Sequence, residues 1–600
     1  MIRRYYAKKD NTISNAFLEN LTTRATGSNM GASDVLEVFS IYGQASDTSS
    51  ELARSLIEFD TTTFTTDRTA GRIPASGSVS WFLKMFNAPH SQTVPSEFDL
   101  VVSAVSTTWE EGYGIDMDYY EDITRDGIGS NWINAKQLTA AIATLDLNAD
   151  ITLTSVAKGR TRNTNTFKTV VNAAAANPTN TILAAFTGTT TAITASITPN
   201  DGTNNGSAEV NLTTAELVEL INNGSVSDKA VTITDASSFR ALQTATGGDG
   251  TNLETGESGE GNNVIAAFSG ATGQWTTEGG DYHATPTFTQ TFNTGLEDME
   301  LDVSDLVEQW LASTKSNYGF GIKLSDATEA LAKSFYTKKF FGRDSEFFFQ
   351  RPVLEARWDS ARKDDRGYFY ASSSLVSATD NLNALYLYNR VRGRLRDYPV
   401  MPTSASLRLN STDAVGSNLA AAAVSKVSTG IYKADIALDT TASVVYDIWY
   451  SGSVAYHTGS VSVKSFDSFG YNPEDVYVLS MPSLRGEYRK DQTHRLNLYV
   501  REKNWSPNIY TQAVKTAIPS LIIPSASFQL RRAIDDYVVV SYGTGSNMHT
   551  GLSYDVSGNY FDLDTTYLEA GYLYDIQYSF YDEENGWEEQ PYRFKFRVVD

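Results

Sequence analysis

The sequence predicts a mainly β, multi-domain chain built from β-sandwiches, and three observations lead there. Its 600 residues allow about four globular units, and 41% hydrophobic with 12% aromatic residues supply a core for each. Segments that alternate apolar with polar residues flank a long stretch almost free of aromatics. The last 230 residues repeat a series of short motifs in the same order.

The flanks of the aromatic-poor stretch come first. Glu51 to Asp60 (ELARSLIEFD), SVSWFLKMFNA and FDLVVSAVSTTWEE alternate as strands with one buried face do. Val303, Leu306, Val307, Trp310 and Leu311 fall at helical spacing, with Asp302 placed as N-cap and Asp305 in the first turn. Asn317, Tyr318 and Gly319 then form a turn into the strand FGIKL. The two flanks, 1–135 and 275–360, are expected to complete one sandwich.

Lys136 to Gln274 is a different kind of domain. Its 139 residues hold only Phe167, Phe186, Phe239 and Phe268 of the chain's 70 aromatics, where the average would give about 16. TTTAITASITP and KAVTITD read as strands, and Thr213 to Glu216 has capping-box spacing before Leu217, Val218, Leu220 and Ile221, with Gly224 as the stop. A small inserted α+β domain over 136–274 follows. The run from Gly247 to Asn263 reads as a mobile exit linker, because no strand-to-helix pattern frames its glycines as a phosphate loop.

The repeat defines the rest. SASLRL (Ser404 to Leu409) recurs as SASFQL (Ser525 to Leu530), Gly430-Ile-Tyr as Gly558-Asn-Tyr, Tyr446-Asp-Ile-Trp-Tyr as Tyr574-Asp-Ile-Gln-Tyr, and LYLYNRV (Leu385 to Val391) as LNLYVRE (Leu496 to Glu502). Two tandem immunoglobulin-like sandwiches, 361–466 and 467–600, are expected, each closing with a hairpin onto GSVSV or YRFKFRV.

Particular residues of the first sandwich resemble the DNRLRE (disaggregatase-related) β-sandwich family: DNTI at Asp10 to Ile13, RSLIEFD at Arg54 to Asp60, TTWEEG at Thr107 to Gly112, SNW at Ser130 to Trp132, Asp302 to Leu324 with its NYG turn, and RPVLEARW at Arg351 to Trp358. The departures are the insert between Trp132 and Trp275 and a long hairpin from Thr337 to Gln350. The resemblance implies a non-catalytic module of a microbial surface protein, carbohydrate-binding in some members. The opening also resembles virion structural proteins of tailed marine phages, especially those of cyanobacteria.

Chemistry is sparse. Zero cysteines exclude disulfides, thiolate metal sites and cysteine nucleophiles. His90, His283, His457, His494 and His549 are scattered singly and read as surface or turn residues. No G-x-S-x-G elbow, P-loop or G-x-G-x-x-G occurs, and accidental carboxylate pairs are unavoidable among 71 acids. Catalytic residues and cofactors are therefore expected to be none. Asp116, Asp118, Glu121 and Asp122 supply the oxygens calcium prefers, but without EF-hand spacing; a solvated acidic loop is the plainer reading. Trp109 with Glu110 and Glu111, and Tyr386, Tyr388, Tyr446 and Tyr450, could stack a sugar, against the plainer reading as core and strand-rim residues.

A net charge of −23 repels phosphate backbones, so no nucleic-acid partner is expected; no apolar run approaches a membrane span, so no membrane partner either, and no secretion signal is evident. The exception to the acidic balance is Arg390, Arg392, Arg394 and Arg396, suited to docking on an acidic copy or neighbour, or else a solvated hairpin edge. The expected function is a structural component of a tailed-phage virion, in the neck, tail or fibre region, assembled in the host cytoplasm as a homo-oligomer with other virion proteins. The alternative is a carbohydrate-binding adhesin that recognises host surface polysaccharide.

Overall fold

The protein is described here by a computed structural model. The described residues are 1–91, 95–115, 129–145, 270–399, 405–413, 417–465, 477–503, 509, 520–543, 548–582 and 585–600. Between 146 and 269 they are 151–158, 166–171, 182–189, 192–197, 209–212, 218–219, 222–223, 225–226, 229–233, 239–243, 251–254 and 265–267.

The chain is mainly β, and its sandwiches follow from strands with alternating burial. Ser80–Met85 buries every second residue, and Ser50–Glu58 and Phe98–Val105 do so until they reach the centre of a sheet, where both faces are covered. One sheet orders Ile2–Tyr6, Val353–Arg357, Ser80–Met85 and Met299–Asp302. The other orders Tyr282–Phe292, Phe98–Val105, Phe320–Leu324, Ser50–Glu58, Val35–Tyr42 and Phe335–Phe341, and Lys9–Ser14 also pairs with Ser50–Glu58. Each sheet thus mixes strands from before and after residues 136–274: Ile322 lies opposite Val102 on one side and Ser55 on the other. Trp81, Leu83, Leu100, Val102, Phe320, Ile322 and Leu354 fill the space between the sheets.

The amphipathic helix lies at Ser304–Leu311 and turns Leu306, Val307 and Trp310 into that core. Its N-cap is Val303, one residue later than the expected Asp302, and Val303 has no side chain able to cap. Asp302 instead accepts the Ser304 amide at 2.9 Å and its hydroxyl at 2.6 Å, satisfying an orphan donor from one position further out. Gly319 has φ +85°, and a Cβ there would stand 2.1 Å from the Ile57 carbonyl oxygen, so the turn into Phe320–Leu324 accepts only glycine.

The chain leaves and re-enters this sandwich through a narrow neck. Asn134 bridges Gln274, the Ala135 and Lys136 amides both donate to Gly273 O, and Thr139 and Thr272 bond each other. Buried Trp109, Trp132 and Trp275 close its base. Inside, Ala192–Ile197 and Lys229–Ile233 are strands, and 218–219 and 222–223 are helical. One expectation is corrected: Thr251–Glu254, inside the supposed exit linker, is a strand paired with Glu209–Leu212, since a Thr-Asn-Leu-Glu alternation suffices to join a ladder.

The two repeat units share one topology. In the first, Phe369–Tyr370, Val454–Lys464, Val444–Ser451, Ala405–Asn410 and Asn418–Ala423 form one sheet and Asn383–Tyr388, Ile431–Ile436 and Ser425–Ser428 the other. In the second, Glu487–Arg489, Phe594–Val599, Leu573–Asp582, Ala526–Arg532 and Tyr537–Val540 take the same places, as do Thr493–Glu502, Gly558–Asp564 and Ser553–Asp555 opposite them, with Tyr477–Ser480 added beside Thr493–Glu502. In both units a short early strand, Phe369–Tyr370 or Glu487–Arg489, pairs in parallel with the last, an agreement absent from the motifs themselves.

Thr337 to Gln350 is not a hairpin. Phe335–Phe341 pairs with Val35–Tyr42, whereas the following Val353–Arg357 belongs to the opposite sheet, so the segment crosses the sandwich edge. The crossing carries Phe349, which is buried in the hydrophobic core of the 477–600 sandwich together with Ile2. Its ring stacks on Tyr537 at 5.7 Å under the Arg532 guanidinium at 5.2 Å. Arg4 donates to Val539 O at 2.5 Å while its Nε contacts Glu355 at 2.6 Å. The last sandwich therefore docks on the first, and does not project from it.

Glu355 is fully buried between Arg4 and Arg357, the latter at 2.6 Å. Burial alone would raise its carboxyl, but the Arg4, Lys84 and Arg357 charges outweigh that and bring it down to about 2. This depressed value contributes stability fully present above pH 4.5 and lost as pH falls towards 2, worth about 3 kcal/mol. The difference in urea stability between the parent and Glu355→Gln should level off above pH 5 and shrink below 4.5. Glu355→Gln should cost about 3 kcal/mol at pH 7, because Arg4 is left buried without its counter-charge.

Candidate functional site

Asp116, Asp118, Glu121 and Asp122 lie outside the described residues. Trp109 is in the core: its Nε1 donates to Tyr318 O at 2.8 Å and the Lys9 ammonium stands 4.3 Å from its ring centre. Glu110 accepts the Gln137 amide and braces the neck, while Glu111 pairs with Arg343 at 2.6 Å and accepts the Asp10 amide at 2.8 Å, tying the sheet-crossing segment to Lys9–Ser14. Tyr386 and Tyr450 are buried and Tyr446 is half-buried. Tyr386 and Tyr388 stack at 6.3 Å against the last sandwich, where the nearby Tyr560 raises Tyr388 in addition to its burial; burial pushes Tyr386 up to about 12. Of the histidines, His549 is buried, contrary to expectation, against the face where the first and last sandwiches meet.

Arg390–Val391 and Arg394–Leu395 form a two-stranded hairpin with Arg392 and Gly393 at positive φ, a turn that matches the twist of the strands. All four arginines are exposed, and none has an ion-pair partner among the described residues. Asp397, which ends the hairpin, is instead paired with Lys426 at 2.7 Å.

The feature the sequence did not reveal is the joint between the two immunoglobulin-like sandwiches. Residues 361–364 run along Ser553–Asp555 of the last sandwich: Tyr554 N donates to Arg362 O at 2.9 Å and Asp364 N to Tyr554 O at 3.0 Å. The chain then turns into Phe369–Tyr370 of the middle sandwich, leaving a cleft of about 520 Å³ lined by Asp365, Tyr368, Tyr370, Asp380, Asn381 and Tyr554. Tyr368 and Tyr370 meet edge to face at 4.9 Å, with the Lys464 ammonium 5.1 and 5.9 Å from their ring centres.

Most polar groups here hold the cleft in shape. Asp365 accepts the Tyr554 hydroxyl at 2.7 Å and the Ala384 amide at 2.6 Å, using both oxygens. Asn383 clasps the Tyr370 backbone, accepting its N–H at 3.0 Å and donating to its carbonyl at 2.9 Å. Asn381 ties down the Ser373 to Ser377 loop. Asp380 is exposed and accepts one bond, from Ser377 Oγ at 2.7 Å. Burial raises Asp365 and lifts Asp364 to about 6, while burial and the bond to Asp365 raise Tyr554. The arrangement offers aromatic surface and hydrogen-bond acceptors. Only a polar run after an aromatic dipeptide, RGYFY followed by SSSLVSATDNLN, hints at it in the sequence; Tyr554 arrives from almost two hundred residues away.

No family model matches the chain, and no curated protein matches it. Among solved structures it is similar to the Yersinia pseudotuberculosis adhesin InvE, at 14% identity and TM-score 0.13, over 38% of this chain and 56% of that one. It is similar to the Escherichia coli adhesin FdeC at 12% identity and TM-score 0.14, over 47% of this chain and 77% of that one. It is also similar to tandem Ig repeats of Dlar at 12% identity and TM-score 0.12, over 36% and 89%. The chain thus spans just over half the length of InvE.

The raised Asp364 gives the joint a pH dependence opposite to that of Glu355. A carboxyl raised on folding contributes stability present below pH 3.8 and lost as pH rises through 6. Asp364→Asn should therefore raise unfolding stability by about 2–3 kcal/mol at pH 8 and change it little at pH 3.5, measured by urea titration at both values.

Proposed function

We propose that the chain is a non-catalytic structural component of a tailed-phage virion, an accessory protein of the neck, tail or fibre region that assembles with copies of itself and with other virion proteins. The resemblance of its first sandwich to the DNRLRE family, and of its opening to phage structural proteins, belongs to this proposal. The observation that carries it is the locking of successive sandwiches into one another. Arg4, Phe349 and the 361–364 segment each cross a boundary and are buried or backbone-paired on the far side. Such joints transmit load and keep neighbouring faces in fixed relation, which symmetric assembly requires. The exposed arginine hairpin, on a chain of net charge −23, supplies a contact suited to an acidic neighbour or copy. In the joint cleft, Asp365 is committed to holding Tyr554 and Ala384, which favours a scaffold over a catalyst.

A second reading, a carbohydrate-binding adhesin for host-surface recognition, is favoured by the tyrosine-lined cleft.

Quantitative mass spectrometry of purified particles should find the chain in fixed proportion to the major capsid protein; its absence from particles would overturn the proposal. Replacing Arg390, Arg392, Arg394 and Arg396 together by glutamate should leave the melting temperature within about 2 °C, since all four are exposed, and lower incorporation at least tenfold.

A further inference from the structure

We infer that the cleft between the two immunoglobulin-like sandwiches binds neutral pyranose sugars, as single units of an uncharged polysaccharide. The inference deepens the adhesin reading and rests on it for its setting, although a virion scaffold can also carry such a site.

Size, surface and charge each point to this class of ligand. A cleft of about 520 Å³ lies within the range of small-molecule sites. Tyr368 and Tyr370, set at 81° to each other, present a ring face beside a ring edge, a corner that receives the apolar C–H face of a pyranose. Asn383 fixes Tyr370 through both of its backbone polar groups, and Lys464 braces both rings, so the corner is formed before any ligand arrives.

Also in the lining, exposed Asp380 keeps acceptor capacity beyond its one bond from Ser377. A carboxylate that only accepts is matched by hydroxyl donors, of which a sugar has several. The lining carries two carboxylates, Asp365 and Asp380, against one adjacent ammonium, Lys464, that stands over the two tyrosine rings, so uronic acids and sulfated or phosphorylated sugars meet a net like charge. Tyr554 places the last sandwich in the wall, so a bound sugar touches both modules and stiffens the joint.

The test is saturation-transfer NMR on the full chain with cellobiose, maltose and lactose as neutral probes and glucuronate as the anionic one. Transfer to the ring protons of at least one neutral disaccharide is expected, with glucuronate at least tenfold weaker. Tyr368→Ala should weaken binding tenfold or more and Tyr368→Phe less than threefold, because the phenyl ring preserves the stacking face. Asp380→Ala, on an exposed loop, should weaken it at least threefold, and serves as the decisive variant if Tyr368→Ala does not fold. Tyr113→Ala, an exposed tyrosine of the first sandwich, should bind as the parent does.

No transfer to any of the three disaccharides, equal transfer in all folded variants, or preference for glucuronate would each overturn the inference. Any of these results leaves the virion proposal standing, because that is decided by the content of purified particles.

Discussion

The carboxylate of Glu355 is the point on which the architecture turns. It lies on Val353–Arg357, the strand that closes the first sandwich, directly beside Ile2–Tyr6, where the chain's first strand pairs with it. A charge buried in that position is tolerable only if it is neutralised and hydrogen-bonded, and Arg4 and Arg357 do both. Arg4 donates from a second guanidinium nitrogen to Val539 O, so the ion pair that joins the two ends of one sandwich also fastens a second sandwich to it. Around this polar centre the contact is apolar: Ile2 and Phe349 belong to the core of the last module, although they come from the first.

A consequence is that contacts in space do not follow order in sequence. The last sandwich contacts both of the others, receiving Arg4 and Phe349 from the first and the 361–364 segment that leads into the middle one. Loop-closure entropy grows slowly with length, so a detour through the middle module costs the chain little, while the buried contacts repay it. The middle sandwich carries the arginine hairpin, whose four exposed guanidinium groups have no ion-pair partner among the described residues. The two boundaries have opposite acid–base character, Glu355 lowered by arginines at one and Asp364 raised by burial at the other, so acid below pH 4.5 weakens the first, while the second loses stability as pH rises from 3.8 through 6.

The structural and recognition readings meet at the second joint. Asp365, Asn381 and Asn383 serve first to position backbone and tyrosines, and the same rigidity that suits a load-bearing scaffold produces a preformed aromatic corner. Stiffness and ligand recognition are therefore compatible uses of one arrangement.

How much of this the sequence contained can be judged residue by residue. Period-two burial in Ser80–Met85, the spacing of Leu306, Val307 and Trp310, the glycine of the Asn317 to Gly319 turn, and the paired YDI(W/Q)Y strands are local, and each was legible because its physics acts over a few residues. Asp302 missed its capping place by one residue, a margin within which propensity does not discriminate. The crossing of Thr337 to Gln350 between sheets could not be read, because a hairpin and a sheet switch demand the same local residues and differ only in which distant strand receives them. The cleft was hidden for the same reason: Tyr368 and Tyr370 announce nothing until Tyr554 is brought beside them. By itself the sequence determined that this is a chain of β-sandwiches with a duplicated module, since alternation and repetition are properties of neighbours. Which sandwich meets which, and the cleft made where they meet, was decided only by tertiary structure, because burial of Phe349 and pairing of Arg4 are energies of contact between residues the sequence keeps hundreds of positions apart.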